Sequence, residues 1–143
     1  MSRIVYQNSQ STLTLNGYTF RHLMEGGSLV LTPVNEATSR TNSINGGVSI
    51  NARADGGVHD LTVMVQRYSP DDKFLNDAVN SGSPVVFDGS MKRAYTEEGT
   101  LKKATTELSA GSVTTKATKT DNNQDSEDSR TYVIQFRSAV ETF

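Results

Sequence analysis

Residues 59–82 read HDLTVMVQRYSPDDKFLNDAVNSG and contain the two patterns that decide the fold. The first half alternates apolar and polar residues, as in a β-strand with one buried face, and the apolar set is Leu61, Val63 and Val65. The second half begins with Ser69-Pro70-Asp71-Asp72, where a serine N-cap, a proline in the first turn and an acid at the third position favour a helix start. The stretch therefore predicts a strand that leads into a short helix over residues 69–81, with Gly82 as the stop.

Four turn signals divide the rest of the chain into further strands, and they are Asn16-Gly17, Asn45-Gly46, Asp55-Gly56 and Asp88-Gly89. Tight turns need backbone angles that Asn, Asp and Gly adopt most easily. The first signal predicts a hairpin between Thr12–Leu15 and Tyr18–Phe20, and the fourth predicts a turn between Val85–Phe87 and Met91–Thr96. Alternation returns over Tyr132–Arg137. Together these patterns predict an all-β fold with one short α-helix, arranged as a β-sandwich or partial barrel.

The composition indicates one modest domain spanning residues 1–143. The net charge is -2, so no excess of Lys and Arg indicates a nucleic acid or an anionic membrane surface as a partner. Cysteine is absent, which excludes disulfides and thiolate metal sites. The first residues lack the apolar core of a secretory signal, and no apolar run is long enough for a membrane span, so neither is expected.

Apolar residues are scarce, at 34% of the chain, and the mean hydropathy is -0.49. Two explanations fit this composition: long polar loops, or a subunit whose stability neighbouring copies complete. Residues 33–57 form the first polar stretch and are interpreted as a loop or hairpin arm. Residues 121–130 form the second, an acidic loop whose carboxylates do not follow the calcium-loop pattern. Loops of this length in a small domain are uncommon unless they bind something or stay disordered.

The sequence offers little chemistry for catalysis. His22 and His59 are far apart, and neither has a second histidine at ligand spacing. No Gly-x-Ser-x-Gly elbow, Walker loop or dinucleotide fingerprint occurs. The pair Asp71-Asp72 is explained by the helix start, and Glu97-Glu98 is expected in a solvated loop. We therefore predict no catalytic, cofactor-binding or metal-binding residues, and no enzyme.

The stretch Asp60–Asn76 resembles the small tail tube proteins of contractile-tailed phages, in which a threonine-rich strand leads through Ser-Pro and acidic residues into a helix. A glycine turn at Asp55-Gly56-Gly57 precedes it, and Pro84–Phe87 and Tyr132–Arg137 resemble later strands of that family. The resemblance implies that six copies form a ring whose inner sheets join into one barrel. Rings would stack into a hollow tube under a contractile sheath, with the arm at residues 33–57 contacting neighbouring subunits.

The resemblance also implies the partners and the location. The subunit would bind copies of itself, and also sheath, tape-measure and baseplate or terminator proteins. Double-stranded DNA would pass through the lumen during genome ejection without specific binding, and no membrane would be involved. The protein would belong to the virion and assemble in the host cytoplasm. Alternatives are the tube of a type VI secretion system or bacteriocin, and, in a different class, a β-sandwich binding module or adhesin.

Overall fold

The computed structural model describes residues 3–6, 11–23, 29–117 and 129–143. In these ranges the secondary structure consists of β1 Ile4–Tyr6, β2 Thr12–Leu15, β3 Tyr18–Thr19, β4 Leu29–Pro33, β5 Thr38–Asn42, β6 Val48–Ala52, β7 His59–Gln66, α1 Pro70–Asn80, β8 Phe87–Glu97, β9 Thr100–Thr115 and β10 Ser129–Thr142. The fold is all-β with a single short helix, as the alternating patterns predict.

Eight strands form one antiparallel sheet in the order β3-β2-β8-β9-β10-β7-β4, and β1 pairs with β8 beyond the end of β2. The strands β5 and β6 form a separate two-stranded sheet. Among the described residues β3 and β4, at the two ends of the large sheet, do not pair with each other, so the sheet is not a closed barrel. The architecture is that of an open β-sandwich.

The core lies between α1 and one face of the large sheet. The alternating residues of β7 and β10 are buried there, together with Leu75 of the helix, and the strand residues are Leu61, Val63, Val65, Tyr132, Ile134 and Phe136. Phe74 of α1 stacks on Tyr18 at 4.4 Å and meets Phe20 and Phe87 edge-on. Each fully buried side chain of this size contributes about 1.5–3 kcal/mol. The helix therefore seals one face of the sheet.

The predicted turn at Asp88-Gly89 is wrong. β8 runs without a break from Phe87 to Glu97, and a bulge lies where the turn was expected. Gly89 is needed there for space, because a Cβ atom would lie 1.8 Å from the backbone oxygen of Thr14 in the neighbouring strand. The side chain of Asp88 accepts a hydrogen bond from the backbone N–H of Ala110 at 2.8 Å, which fixes the facing bulge of β9. The two residues therefore form a bulge in β8, between the neighbouring strands β2 and β9, instead of the turn of a hairpin.

The turn that joins β8 to β9 lies at Glu98-Gly99, where both residues have positive φ (49° and 79°) as a two-residue hairpin requires. The expected solvated loop at Glu97-Glu98 is thus a tight turn. β9, which covers Thr100–Thr115, lies where the sequence patterns indicate no strand. The hairpin predicted at Asn16-Gly17 is confirmed by the pairing of β2 with β3.

The structure describes the whole of the first polar stretch but only the last two residues of the second. Residues 33–57 contain the hairpin β5–β6 and its connections to the large sheet. Of the acidic loop predicted at 121–130, residues 121–128 lie outside the described residues, and Ser129 and Arg130 open strand β10. The helix α1, the one helix in the described ranges, is not long and apolar enough to cross a membrane.

We expect Gly111→Ala to lower the free energy of unfolding by about 1–3 kcal/mol, because an added methyl group overpacks the core. A Cβ atom at this position would lie 2.3 Å from the ring of Phe136. Urea unfolding followed by circular dichroism measures the change. Gly82→Asn is the control, since nothing lies within 4 Å of that position and Asn tolerates its positive φ. Equal stability of the Gly111→Ala variant and the wild type would contradict the packing described.

Candidate assembly surfaces

The two acidic residues at the start of α1 are buried and hold the helix in place. Asp71 is 0% exposed, and its carboxylate accepts hydrogen bonds from the Tyr18 hydroxyl at 2.6 Å and from the backbone N–H groups of Arg21 and His22 at 3.0 and 2.6 Å. This carboxylate therefore ties the helix to β3 and to the chain that follows it. Three donors fill three of the roughly four lone-pair sites of the carboxylate, so its role is structural.

Asp72 makes the matching connection to β10. Its carboxylate accepts hydrogen bonds from the Tyr132 hydroxyl at 2.7 Å and from the Tyr68 backbone N–H at 2.9 Å, and Arg130 lies 3.6 Å away. Its own backbone N–H donates to the Ser69 side chain, which is the N-cap contact that the sequence predicts. Burial, with help from the acceptor Asp72, raises the pKa of Tyr132 to about 12. Burial and Asp71 likewise raise the pKa of Tyr18 to about 12.

The two histidines are not brought together. His59 opens β7, and its Nδ1 lies 2.8 Å from the carbonyl oxygen of Gly57, while His22 is exposed near α1. In the part of the chain that the structure describes, no group of three or more His, Cys, Asp or Glu side chains could hold a metal ion.

Two shallow cavities flank the helix. One, of about 470 Å³, is mostly apolar and lies at the end of α1, between Val79, Val85 and Val113. The other, of about 350 Å³, is lined by Asn76, Asn80, Lys116, Ala117, Arg130 and Tyr132. Neither places a nucleophile beside a base.

The hairpin β5–β6 projects from the large sheet as an exposed arm, which we define as residues 33–57. Every residue of both strands is exposed, and the large apolar side chains exposed in the arm are Val34, Ile44, Val48 and Ile50. Its turn is held by backbone and side-chain hydrogen bonds between Ser43 and Gly47. An ordered hairpin with apolar side chains in water is typical of a segment that packs against another molecule.

Several edges of the large sheet are open in the described ranges. β4 pairs with β7 alone, so its outer edge presents unpaired backbone N–H and C=O groups. Beyond Phe136 the strand β10 has lost its partner β7 and pairs with β9 alone, as far as Thr142. In β9 the residues 100–104 pair only with β8. Such edges readily accept a strand from another chain.

The face of the sheet that α1 does not cover carries almost no charge where β4, β7 and β10 pair. The residues on this uncovered face are Val30, Thr32, Asp60, Thr62, Met64, Gln66, Ser129, Thr131, Val133 and Gln135. Asp60 is the one charged group among them, and it accepts a hydrogen bond from the Gln135 side chain at 3.1 Å. Apart from Asp60, which is acidic, the surface is neutral and polar.

Sequence patterns identify the residues that build the helix and its caps but miss the strand β9 and the edges that it leaves open. The signal available for β9 is its threonine content, since Thr favours strands. Interrupting lysines and the bulge at Ala110 remove the period-two pattern that would otherwise mark the strand.

A scan of family models finds no match to this sequence, and a search of curated proteins finds none either. Among solved structures, a chain of the cryo-EM structure of the anti-feeding prophage (AFP) baseplate, 6-fold symmetrised, has a similar fold. The TM-score is 0.55 at 13% sequence identity, and the alignment covers 98% of this chain and 92% of that one. At this identity the similarity shows the fold alone, over nearly the full length of both chains.

Replacing the first of the buried acids tests its role as an anchor. We expect Asp71→Asn to lower the free energy of unfolding by about 1–3 kcal/mol, because an amide leaves at least one buried donor without an acceptor. Asp77→Asn is the matched control, since Asp77 is an exposed acid on the same helix. Thermal or urea unfolding compares the two, and a loss of equal size in both would argue against the anchor.

The tyrosine contacts predict a loss of stability at alkaline pH. In the unfolded chain tyrosine ionises near pH 10, whereas the folded pKa values of Tyr18 and Tyr132 are about 12. The unfolded state therefore releases these protons first, so the free energy of unfolding is complete below pH 10 and falls as the pH rises from 10 to 12. Urea titrations across this range should show a shallower decline for Tyr132→Phe than for the wild type. Identical slopes would contradict the assignment.

Proposed function

We propose that this chain is a structural subunit of a phage-tail-like particle and that it forms the hollow tail tube as stacked rings of six copies. The observation that carries the proposal is the full-length fold similarity to a chain of a six-fold symmetrised prophage baseplate. The resemblance of Asp60–Asn76 to tail tube proteins adds to it. A phage tail and a related injection machine would use the same kind of subunit.

The contact that would close the ring is pairing between strand edges that are open in one copy. A strand edge that is unpaired in one copy is completed when it pairs with an edge of the next copy, and the outer edge of β4 is available for this. Repeating one head-to-tail contact closes a ring when the rotation fits. The sheets of successive copies then become continuous. This supports a barrel made of several chains, because the sheet of one copy is open.

The uncovered face of the sheet suits a lumen through which DNA passes. Phosphate binding strengthens with each Lys or Arg presented, and on this face Asp60 is the one charged side chain among the described residues where β4, β7 and β10 pair. Its covered face is occupied by α1 and the core. In a ring joined through strand edges, the uncovered face would point inward and the helix outward.

The arm is suited to contacts between subunits. Its strands are exposed throughout. Where the arm joins the large sheet, the Val34 N–H donates to the Val58 carbonyl, and within the arm the Arg53 side chain pairs with Asp55 at 3.1 Å. Exposed Ile44, Val48 and Ile50 would be buried against a neighbouring copy. A subunit that gains apolar contacts on assembly also explains the low apolar content of the chain.

A second candidate function is that of a subunit of a baseplate ring. The observation that favours it is that the chain of similar fold belongs to a baseplate structure. The two functions differ in how far assembly proceeds. A tube subunit alone should form long hollow rods, whereas a baseplate subunit should stop at one or two rings.

We expect the purified wild-type protein to form rings and hollow rods at high concentration, seen by negative-stain microscopy. Replacing residues 38–52 with a short glycine-serine turn should abolish them, because the arm's buried area is lost, while the circular dichroism signal of the large sheet persists. Lys73→Ala, an exposed change on α1 outside the arm, is the control and should assemble normally. A wild-type protein that light scattering shows to be monomeric at every concentration would overturn the proposal.

A further inference from the structure

The tip of the arm displays an apolar side chain at a position where tight turns favour polar residues and glycine. Ile44 follows Ser43 in the turn between β5 and β6, and its side chain is fully exposed. Three hydrogen bonds hold this turn. The Ser43 N–H donates to the Gly47 carbonyl at 2.7 Å, the Gly46 N–H to the Ser43 carbonyl at 3.2 Å, and the Gly47 N–H to the Ser43 hydroxyl at 2.8 Å. The turn therefore holds an isoleucine in water at a defined position.

An apolar pocket lies on the helix-covered side of the sheet. We name it the valine pocket, and it is the cavity of about 470 Å³ between Val79 at the end of α1, Val85 and Val113 of β9. These three side chains pack against the core, and the exposed Ser83 also lines the cavity. When an exposed apolar group and an apolar pocket occupy different places on one chain, they complement each other in a head-to-tail contact between copies.

The valine pocket lies beside an open strand edge. Residues 112–115 of β9 continue past the end of its pairing with β8, and in the described ranges they pair with β10 alone. The sheet here has four strands in the order β4-β7-β10-β9, so the outer edges of β4 and of residues 112–115 are its two borders. Each strand is antiparallel to its neighbour, so β4 and β9 run in opposite directions. The two borders can therefore form an antiparallel pair when the next copy is placed alongside.

Such pairing brings the arm of one copy within reach of the pocket of the next. Paired strands lie about 5 Å apart and packed layers about 10 Å apart, which places the pocket about 10–15 Å from β4 of the neighbouring copy. From Pro33, where β4 ends, to Ile44 an extended chain spans up to about 36 Å at roughly 3.3 Å per residue. The arm is therefore long enough to cross the border. In its own copy Ile44 lies in water, so the pocket of that copy is not its partner.

We propose that Ile44 at the tip of the arm of one copy inserts into the valine pocket of the next copy. The inference rests on the proposed function and names the surface that receives the arm. The border at β4 and the arm lie on one side of the subunit, and residues 112–115 and the valine pocket lie on the other. Each copy then gives one contact and receives one, and the contact can repeat around a ring.

Substitutions at the tip and at the pocket test the contact. Ile44→Asp would bury a charge in an apolar pocket. It should raise at least tenfold the concentration at which half of the protein is assembled, measured by sedimentation, whereas Ile44→Leu should behave as the wild type does because it keeps the apolar volume. Ser83→Trp should fill the pocket and weaken assembly as Ile44→Asp does. Lys73→Trp, which adds the same ring at an exposed position of α1, is its control and should assemble normally.

Crosslinking decides whether Ile44 reaches the pocket of another copy. The chain contains no cysteine, so the variant Ile44→Cys/Ser83→Cys supplies all of its thiols. A disulfide forms only when the two Cα atoms come within about 7 Å. After oxidation with diamide, a non-reducing gel should show a ladder of linked copies that extends beyond the dimer. The control variant Ile44→Cys/Lys73→Cys should give no such ladder. A disulfide formed within one copy, or no ladder from the Ser83 variant, overturns the proposal.

The two experiments also separate this inference from the proposed function. If the wild type forms rings and rods but Ile44→Asp assembles equally well, the tube proposal stands and the pocket contact fails. If Ile44→Asp weakens assembly but no ladder forms, Ile44 binds a different surface, and the pocket contact fails again. If the wild type forms no rings, the tube proposal fails and the ladder alone decides. Its presence then supports a head-to-tail contact in another kind of assembly, and its absence overturns the contact.

Discussion

The attachment of α1 to the sheet through two buried carboxylates is the constraint on which the rest of the molecule depends. Asp71 binds the chain around β3, and Asp72 binds Tyr132 of β10, so strands far apart in the sequence are held by one turn of helix. Both acids also lie at the helix N-terminus, where negative charge is favoured. Removing water from carboxylates is costly unless donors replace it. Here hydroxyl and backbone donors do so, which fixes the helix in one position.

A helix fixed in this way covers one face of the sheet and leaves the other uncovered. The covered face holds the core, with Leu61 and Ile134 at its centre. Where β4, β7 and β10 pair, the uncovered face carries Asp60 as its one charged side chain among the described residues, and the outer edge of β4 is unpaired. A fold that satisfies one face internally and leaves a strand edge unpaired is suited to assembly, since its remaining hydrogen-bonding capacity lies at the borders. The function proposed for the chain depends on this asymmetry more than on any single side chain.

The sequence predicts the elements whose signals are local. The strand β7, the N-cap at Ser69 and the hairpin at Asn16-Gly17 follow from spacing within a few residues. The Asp88-Gly89 signal misleads because a bulge and a turn favour the same residues, and only the close approach of Thr14 in the paired strand β2 shows which is present. The long strand β9 is missed because its bulge interrupts the alternation. The anchoring role of Asp71 and Asp72 depends on Tyr18 and Tyr132, which are remote in sequence, so no local pattern reveals it.

Strand pairing at sheet edges is the contact through which the proposed subunit would assemble. Such pairing uses backbone groups, is short in range and is scarcely affected by salt, so it suits the permanent closure of a ring. The outer edge of β4 lies at one end of the large sheet, whereas the other open edges lie on β9 and on β10 beyond Phe136. An edge of one copy can therefore be completed by a different edge of the next copy, and a head-to-tail contact of that kind can repeat around a ring.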